Sequence, residues 1–435
     1  MKVIEMFAGI GSQAKALERI SKRTNVNIEI VNTCEWNIHA IVAYHRIHNK
    51  SEISNEVLSM DKEELLNVLN KYSLSLDGKD PIKTKYLQTL NVNLLREIYN
   101  SILQNHNLIN VLDVKGVDIS DDIDLLTYSF PCQDLSNVGS FHGYNDGIDR
   151  HKNTRSGLLW EIERILEEKK AINGRLPRYL LLENVTALEA ERHKGNFNEW
   201  QNKLLELGYV NKVYKLNAED FGVPQYRKRL LMLSVYVGEN SILRNDVIDF
   251  FNKNDLNNDE YIKSLQIKKT KLSHFLKIDY NNSTYFKEAL EAQPNNTPSR
   301  LKIWDNNSKI IDENNRMANR VQTITTKQDR HPNSGNLYFT PENDKSRFRF
   351  LTPRECFLLM GFEEKDFNCL INNNHITRGE SLFFSRDVLY KLAGNSIVVN
   401  VLEHVFYHMI EIEKSLKTKN VTFDKSSFQG NVKYE

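Results

Sequence analysis

The chain has 435 residues, of which 40% are hydrophobic, 10% aromatic and 26% charged, and its formal net charge is +1. This ordinary globular composition excludes a collagen-like, mucin-like or wholly disordered chain, and because no run of about 18 apolar residues occurs, we predict no membrane span. The four cysteines are widely separated, which excludes a disulfide framework or a CxxC metal site and favours a reducing, cytoplasmic location.

Charge is unevenly distributed along the chain. Residues 262–349 hold 16 lysines and arginines against 9 aspartates and glutamates, a net charge of +7, which leaves −6 for the rest. A basic block in a nearly neutral chain is typical of a surface that faces a polyanion. A solvated polar domain in a chain rich in lysine and asparagine explains the pattern equally well.

The N-terminal part begins with alternating strands and helices. Its pattern predicts a buried strand at residues 2–6, a tight turn at 7–13, a helix at 14–21, a second strand at 27–34 and a second helix at 39–47. This rhythm is typical of a doubly wound α/β sheet.

Residues 51–110 interrupt this alternation as an inserted segment that is helical in pattern and carries no recognisable chemistry. The alternation then resumes. Further strands are predicted at 123–129, 179–182, 210–217 and 229–236, with helices at 158–168 and 198–207.

The changes of pattern divide the chain into four parts. Residues 1–236 form a first α/β domain that includes the insertion. Residues 237–346, where asparagine is frequent and periodicity fades, predict a second, smaller and irregular domain. The first pattern returns at 347–410, and a polar tail is expected at 411–435.

A glycine turn links the first strand to the first helix, in Phe7-Ala8-Gly9-Ile10-Gly11. Glycines let the backbone approach a ligand, and the following helix N-terminus offers free N–H groups. Glu35 ends the next strand, where a carboxylate can accept both ribose hydroxyls, and Trp36 can stack on adenine. The turn fits NAD, FAD or S-adenosylmethionine, and a tight packing turn without a ligand is the alternative.

Two further strands end in reactive side chains. Cys132, in Phe130-Pro131-Cys132-Gln133, lies where open α/β sheets bind ligands, and nearby free N–H groups are expected to lower the pKa of its thiol. Glu183 ends the next strand, where partial desolvation is expected to raise the pKa of its carboxyl and make it a proton donor. An inert buried cysteine and a capping or surface glutamate are the alternatives.

Two more motifs contribute polar groups. Gln225-Tyr226-Arg227-Lys228-Arg229 places three cations at the mouth of a strand, which suits a phosphate or an active-site carboxylate. Strand geometry directs Arg227 and Arg229 to one face; a solvated strand edge is the alternative. Gly394-Asn395-Ser396 forms a turn that can supply backbone and amide contacts.

In this order and spacing, the motifs resemble those of the cytosine-5 DNA methyltransferases of the bacterial or phage restriction-modification type. That family carries an FxGxG turn, a PCQ loop, an ENV strand end, a QxRxR strand, an RxLTPRE segment and a GNS turn. Matching residues occur here at 7–11, 131–133, 183–185, 225–229, 349–355 and 394–396.

The resemblance covers roughly residues 1–235 and 347–408, with three departures. The usual PCQPFS is Pro131-Cys132-Gln133-Asp134-Leu135-Ser136 here, and the insertion at 51–110 is longer than in compact members. The usual GDI is matched loosely by Asp113-Val114, with Asp118-Ile119 as the rival placement.

The resemblance implies a Rossmann-like sheet that transfers a methyl group from S-adenosylmethionine to carbon 5 of a flipped-out cytosine in duplex DNA, with 237–346 as the target-recognition domain. Cys132 would add to carbon 6, and Glu183 would donate a proton to ring nitrogen 3. Arg229 would hold the exocyclic side or the carboxylate, and Arg227 would support the same region. No metal is expected.

The family match also assigns the cofactor-binding residues, and the sequence offers candidate DNA contacts. The residues expected to contact the cofactor are Phe7, Ala8, Gly9, Gly11, Glu35, Trp36, Asp113, Pro131, Leu159, Asn395 and Ser396. The residues expected to contact DNA are Gln133, Ser136, Thr323, Thr325, Lys327 and Arg330. A purely structural, turn-rich segment is equally consistent with 323–326. The expected partners are double-stranded DNA and a cognate restriction endonuclease of the same site, and the protein is expected to be a monomer.

Three other functions fit part of the pattern. A tRNA cytosine-5 methyltransferase of the same fold is disfavoured by the length of the 237–346 block. A catalytically inactive DNA-binding regulator is disfavoured because Cys132 and Glu183 are both intact. A nucleotide-dependent oxidoreductase accounts for the glycine turn but leaves the PCQ and ENV motifs unexplained.

Overall fold

A six-stranded central sheet organises the protein in a computed structural model, which describes residues 1–49, 52–132, 134–135, 147–150, 152, 154–341, 344–418, 421–423 and 432–434. The strands are β1 (Lys2–Met6), β2 (Glu29–Cys34), β3 (Leu125–Tyr128), β4 (Tyr179–Val185), β5 (Tyr209–Asn217) and β6 (Lys228–Tyr236). Their spatial order is β2-β1-β3-β4-β6-β5. Strands β1 to β4 pair in parallel, whereas β6 lies antiparallel to both β4 and β5. The predicted α/β fold is confirmed.

Helices cover both faces of the sheet. Four of them, Asn55–Ser59, Lys62–Leu69, Thr84–Thr89 and Val92–Gln104, lie in the insertion and confirm its helical pattern. Further helices are Ser12–Thr24, Ile38–Tyr44, Leu159–Ala171, Glu191–Glu206, Ser241–Lys253, Asp259–Ser264, Ser283–Glu291, Pro298–Asn306, Pro353–Leu359, Glu364–Ile371, Arg386–Asn395 and Val399–Thr418.

The alternation of side chains along the strands builds one apolar core on each face of the sheet. In β4, Tyr179 and Leu181 join the larger core, whereas Leu180 and Leu182 join the smaller one. All four side chains are nearly inaccessible, as expected for a strand covered on both faces.

The insertion packs into the larger core together with the C-terminal helices. Leu94 and Ile98 of the insertion belong to the same buried cluster as Val405 and Met409 of the helix Val399–Thr418. That helix continues past residue 410, where we placed the start of the tail, because Ile412 and Leu416 are also buried. Beyond it, the short strands Val421–Phe423 and Val432–Tyr434 pair antiparallel.

The 237–346 block contributes to two separate cores. Leu243 and Phe251, on the helix Ser241–Lys253, belong to the larger core of the sheet. Trp304, Phe348 and Phe350 form a small cluster of their own, beside a three-stranded sheet of Lys309–Ile311, Asn336–Tyr338 and Phe348–Arg349. Ile310, Val321 and Leu337, later in the same block, also belong to the larger core. The division of the chain into domains therefore stays a prediction.

Candidate active site

The ends of four strands and the start of a fifth meet along one edge of the central sheet. Because β4 and β6 are antiparallel, the end of β4 lies beside the start of β6, and Val185 pairs with Arg229. Cys132 follows β3, Glu183 lies near the end of β4, and Glu35 follows β2. Strand direction alone thus brings residues distant in sequence to one edge.

The loop that carries Cys132 is held from two sides. The Asn184 side-chain amide on β4 donates to the carbonyl of Phe130 at 3.0 Å. The Ser156 hydroxyl, just before the helix Leu159–Ala171, donates to the carbonyl of Pro131 at 2.7 Å. These bonds fix the backbone immediately before Cys132, whose side chain is half-buried.

Glu183 is a nearly buried carboxyl with a loosely placed cation beside it. Its side chain is 11% exposed, and Arg229 Nε lies 3.5 Å from its Oε1. Burial raises the pKa of Glu183, and the charges of Arg229 and Arg227 oppose this rise only in part. The structure therefore agrees with the raised pKa that the strand-end position predicts.

The thiol of Cys132 differs from the sequence-based expectation. Burial raises its pKa, and the Glu183 carboxylate raises it further, while the charges of Arg229 and Arg227 act in the opposite direction. The expected lowering of the thiol pKa is thus wrong for the protein without DNA, because desolvation disfavours the thiolate more than the two cations favour it.

Arg227 is hydrogen-bonded to backbone carbonyls of other segments near the site. Its guanidinium donates to the carbonyls of Ile324 at 2.7 Å, Gly394 at 3.0 Å and Ser396 at 2.7 Å. The side chain is 3% exposed. These bonds give Arg227 a positioning role, since it joins β6 to a segment of the 237–346 block and to the GNS turn.

The glycine turn after β1 has the backbone conformation that its sequence requires. Phe7, Gly9 and Gly11 have positive φ angles of 58°, 56° and 77°, a region that glycine adopts without steric cost. A Cβ at Gly11 would lie 2.2 Å from His48 Nε2, whereas a Cβ at Gly9 would meet nothing within 4 Å. Gly11 is therefore needed for packing, and Gly9 borders open space.

Glu35 is fixed against this turn by backbone groups. Gly9 N donates to its Oε2 at 3.0 Å and Asn37 N donates to its Oε1 at 2.8 Å. Ala8 N also bonds to the carbonyl of Cys34 at 3.1 Å. Each carboxylate oxygen accepts one of these bonds and keeps capacity for a further donor.

Asp113 and Asp118 differ in what their carboxylates face. Asp118 accepts the Lys115 N–H at 2.8 Å and so caps its own short turn. Asp113 is exposed, and its charge, like that of Glu35, raises the pKa of the Cys34 thiol at the end of β2. The Asp118 carboxylate is thus engaged in its own turn, and Asp113 stays the predicted adenine contact.

The last group of expected cofactor residues needs one correction. Leu159 has no exposed surface and lies inside the smaller core, so it cannot contact a cofactor; the preceding Leu158 is half-buried and packs at the margin of that core. Asn395 is exposed at the end of its helix. Ser396 is buried, and its hydroxyl donates to the carbonyl of Leu392 at 2.8 Å.

The residues expected to contact DNA fall into three groups. Gln133 and Ser136 lie outside the described residues. The hydroxyls of Thr323 and Thr325 donate to the carbonyls of Tyr226 and Lys327 at 2.7 and 2.6 Å, so both serve local structure. Lys327 and Arg330 are exposed and can reach a ligand.

The sequence of this chain matches the model of a known protein family. Residues 85–411 match the family model for C-5 cytosine-specific DNA methylases. The chain belongs to this family. The predicted family and the predicted enzyme class, a DNA cytosine-5 methyltransferase, are thereby confirmed.

Relatives match this methyltransferase over nearly its whole length. It is 33% identical over 407 residues to the orphan methyltransferase M.SssI of Spiroplasma monobiae. The matched region covers 93% of this chain and 96% of that relative. It is 32% identical over 414 residues to the type II methyltransferase M2.ScrFI of Lactococcus lactis subsp. cremoris, covering 94% and 99%. The fold resembles that of the S. pombe Dnmt2 methyltransferase, with a TM-score of 0.55 at 19% identity over 97% of this chain and 99% of that one.

Within the described ranges, no helix of the methyltransferase is both long and apolar enough to cross a membrane.

Sequence reasoning missed several residues that support the site. Asn107 accepts the N–H of Glu35 at 3.0 Å and donates to its carbonyl at 2.9 Å. Gln225 has no exposed surface; its amide donates to the carbonyl of Leu359 and accepts the N–H of Ile324. The sequence gives a signal for Gln225 alone of these two residues, as the first residue of the QxRxR motif. The bonding partners of Asn107 and Gln225 come from distant segments, so the roles of these side chains are not visible in the local sequence.

Proposed function

We propose that this methyltransferase acts on carbon 5 of a cytosine extruded from duplex DNA, through a covalent bond to Cys132, with S-adenosylmethionine as the methyl donor. The observation that carries the proposal is the position of Cys132, Glu183 and Arg229 at the edge of the sheet that also holds the glycine turn and Glu35. One cleft can thus hold a reacting ring and a nucleoside cofactor.

The pocket beside the glycine turn fits S-adenosylmethionine. Glu35 has the capacity to accept the ribose hydroxyls, and Asp113 can accept the adenine amine. Gly9 borders open space, and the rings of Phe7 and Trp36 are half-buried at the same turn and strand end. When bound, the cofactor supplies an electrophilic methyl group on a sulfonium.

The protein must make carbon 5 of cytosine nucleophilic. The Cys132 thiol gives its proton to a water molecule, its sulfur forms a bond to carbon 6, and the double bond between carbons 5 and 6 opens, which breaks the aromaticity of the ring. Electron density moves toward ring nitrogen 3, where protonated Glu183 donates its proton. Carbon 5 then has enamine character and takes the methyl group.

Release of the product reverses the addition. Water, which we propose as the base, takes the proton from carbon 5, the double bond between carbons 5 and 6 re-forms, and the bond to Cys132 breaks with its electron pair on sulfur. Ring nitrogen 3 returns its proton to Glu183. Arg229, 3.5 Å from Glu183, is placed to hold that carboxyl or the exocyclic side of the ring. Arg227 positions the surrounding segments.

DNA is the proposed partner of the basic part of the chain. Extruding the base costs a few kcal/mol, which contacts to the duplex must offset. We propose that Lys327, Arg330 and other cations of the 237–346 block bind phosphates and that this block selects the target sequence. Because M2.ScrFI is named a type II methyltransferase, we also propose that methylation protects DNA from a cognate restriction endonuclease. We further propose that the protein acts as a monomer.

Substitution of Cys132 tests the proposed chemistry. Cys132→Ala should abolish incorporation of tritiated methyl groups into duplex DNA, because no thiolate remains to activate the ring. Cys369→Ala, on the helix Glu364–Ile371, is the matched control and should keep the activity. Undiminished incorporation by the Cys132 variant would overturn the proposal.

The substrate is tested by competition between duplex DNA and tRNA as methyl acceptors. We expect transfer to duplex DNA, and bisulfite sequencing of DNA from cells that express the protein will give the modified sequence. Preferential transfer to tRNA would favour the alternative of a tRNA methyltransferase of this fold. S-adenosylmethionine binding without any transfer by the wild type would favour an inactive DNA-binding regulator.

A further inference from the structure

The helical insertion contributes a loop to the edge of the proposed cofactor site. Residues 74–82, called here the insertion loop, follow the helix Lys62–Leu69 and run beside the segment after Glu35. Ser75 N donates to the carbonyl of Trp36 at 2.7 Å, and Ile38 N donates to the carbonyl of Ser75 at 2.9 Å. The Asn37 side-chain amide donates to the carbonyl of Leu76 at 2.9 Å.

The insertion loop has a defined internal structure. Ser75 is fully buried; its hydroxyl donates to the carbonyl of Asp80 at 2.8 Å and accepts the N–H of Gly78 at 3.0 Å. Asp77 Oδ1 accepts the N–H groups of Lys79 and Asp80 at 2.8 and 3.2 Å. These bonds close a compact turn, so the tip of the loop has one position.

The tip of the loop lies against Trp36. A Cβ built on Gly78 would lie 3.9 Å from Trp36 Nε1, and Gly78 has a φ of 74°. Since Trp36 is the proposed adenine-stacking residue, this contact places the loop tip beside the nucleoside half of the pocket.

Lys391 connects this tip to the C-terminal side of the site. Its Nζ donates to the carbonyl of Asp77 at 2.6 Å, and the residue lies on the helix Arg386–Asn395, one turn before Asn395. Burial lowers the pKa of Lys391, while the charges of Asp77 and Glu35 oppose this change. The amine therefore faces both the insertion loop and the carboxylate proposed to bind ribose.

We propose that the insertion loop forms the outer wall of the nucleoside pocket and that Lys391 is a positioning residue that holds the loop there. This inference rests on the proposed function, since it takes S-adenosylmethionine as the ligand of the pocket. The insertion is then a part of the cofactor site. A substitution that releases the insertion loop weakens cofactor binding but removes no reacting group.

Three variants test this role. Lys391→Met removes the donor and keeps the length of the side chain; Lys391→Arg keeps a donor; Lys85→Met, an exposed lysine of the same insertion, is the control. We expect Lys391→Met to raise the dissociation constant of S-adenosylhomocysteine, measured by calorimetry, about tenfold, since a charged hydrogen bond is lost.

The kinetic parameters separate positioning from chemistry. KM for S-adenosylmethionine should rise with the dissociation constant in Lys391→Met, while kcat at saturating cofactor stays within about twofold of the wild type. Lys391→Arg should recover part of the affinity, and Lys85→Met should equal the wild type. Wild-type affinity in Lys391→Met, or an equal loss in Lys85→Met, would overturn the inference.

Hydrogen exchange gives a second reading that does not depend on the variants folding. In the wild type, S-adenosylhomocysteine should slow exchange of the amides of residues 76–80, and unchanged exchange there would overturn the inference. Failure of the proposed function is distinguishable, because it would show as methyl transfer by Cys132→Ala or as absence of S-adenosylhomocysteine binding by the wild type.

Discussion

Two Arg–Glu pairs of this methyltransferase occupy buried positions but differ in geometry. Glu183 and Arg229 approach to 3.5 Å at the edge of the sheet. Arg349 and Glu355, in the RxLTPRE segment, have no exposed side-chain surface and form two parallel bonds of 2.8 and 2.9 Å. The first pair leaves its carboxyl free to change protonation state, and the second does not.

The surroundings of Glu355 explain this difference. Its oxygens also accept the N–H groups of Lys277 and Thr352, each at 2.8 Å, and Arg349 Nε donates to the Tyr280 hydroxyl at 3.1 Å. The charge of Arg349 and these bonds lower the pKa of Glu355 despite complete burial, whereas burial raises that of Glu183. A buried carboxyl with many donors stabilises the fold; one with few can donate a proton.

Removing the proton donor should produce the largest effect. We expect Glu183→Gln to reduce the methyl-transfer rate by roughly 10²- to 10⁴-fold, because glutamine keeps the shape but cannot donate an acidic proton. Single-turnover kinetics with tritiated cofactor measures it. The melting temperature should stay close to that of the wild type, and retention of the full rate would contradict the role given to Glu183.

Breaking the second pair should affect stability and not chemistry. Glu355→Gln is expected to lower the free energy of unfolding by about 3–5 kcal/mol, because the Arg349 charge stays buried without its partner. Urea titration measures this change. Glu313→Gln, which breaks the exposed Glu313–Arg347 pair, is the control and should cost below about 1 kcal/mol; equal losses in the two variants would contradict the comparison.

The pH dependence of stability should have opposite signs in the two variants. The raised pKa of Glu183 means that its contribution is present below the ordinary value of 4.5 and is lost as pH rises, so Glu183→Gln should gain stability relative to the wild type as pH rises. The lowered pKa of Glu355 means that its contribution is present above 4.5 and is lost as pH falls. Glu355→Gln should therefore approach the wild type in acid. Calorimetric scans between about pH 2 and pH 8 would show the two trends, and parallel trends would refute the assignment.

The smallest effect is expected at the helix cap joined to the second pair. Thr352 accepts the N–H of Glu355 at 3.2 Å and so begins the helix Pro353–Leu359. Thr352→Ala should cost about 1 kcal/mol in chemical denaturation. Because the cap and the ion pair share Glu355, the double variant with Glu355→Gln should lose less than the sum of the single losses; strict additivity would show that the two are independent.

Local sequence patterns predicted the strand ends and the residues that lie on them. The apolar run before Glu183 predicts β4 and places the carboxyl at its end, because a strand covered on both faces needs consecutive apolar residues. The positive φ of Gly9 and Gly11 follows from the glycine turn in the same way. These features depend on neighbours within a few residues, and the sequence contains those neighbours.

Features that depend on register or on distant segments were predicted less well. Leu159 was expected to contact the cofactor, but the rotation of its helix buries it and leaves Leu158 at the margin. For Arg227 the sequence predicts only that it supports the region around Glu183; the carbonyls to which it donates, those of Ile324, Gly394 and Ser396, lie far away along the chain. The lowered pKa expected for Cys132 was wrong because burial cannot be read from a loop sequence.

By itself, the sequence determined the α/β alternation and the family and supplied the candidate reactive side chains, since each depends on residues close together along the chain. Only the tertiary structure decided which carboxyl is held charged and which can take up a proton, and which cation faces the site. It also decided that the insertion loop lies against Trp36 and is hydrogen-bonded by Lys391. These properties depend on how many donors, charges and apolar atoms from other segments surround each group, and only the folded chain brings those segments together.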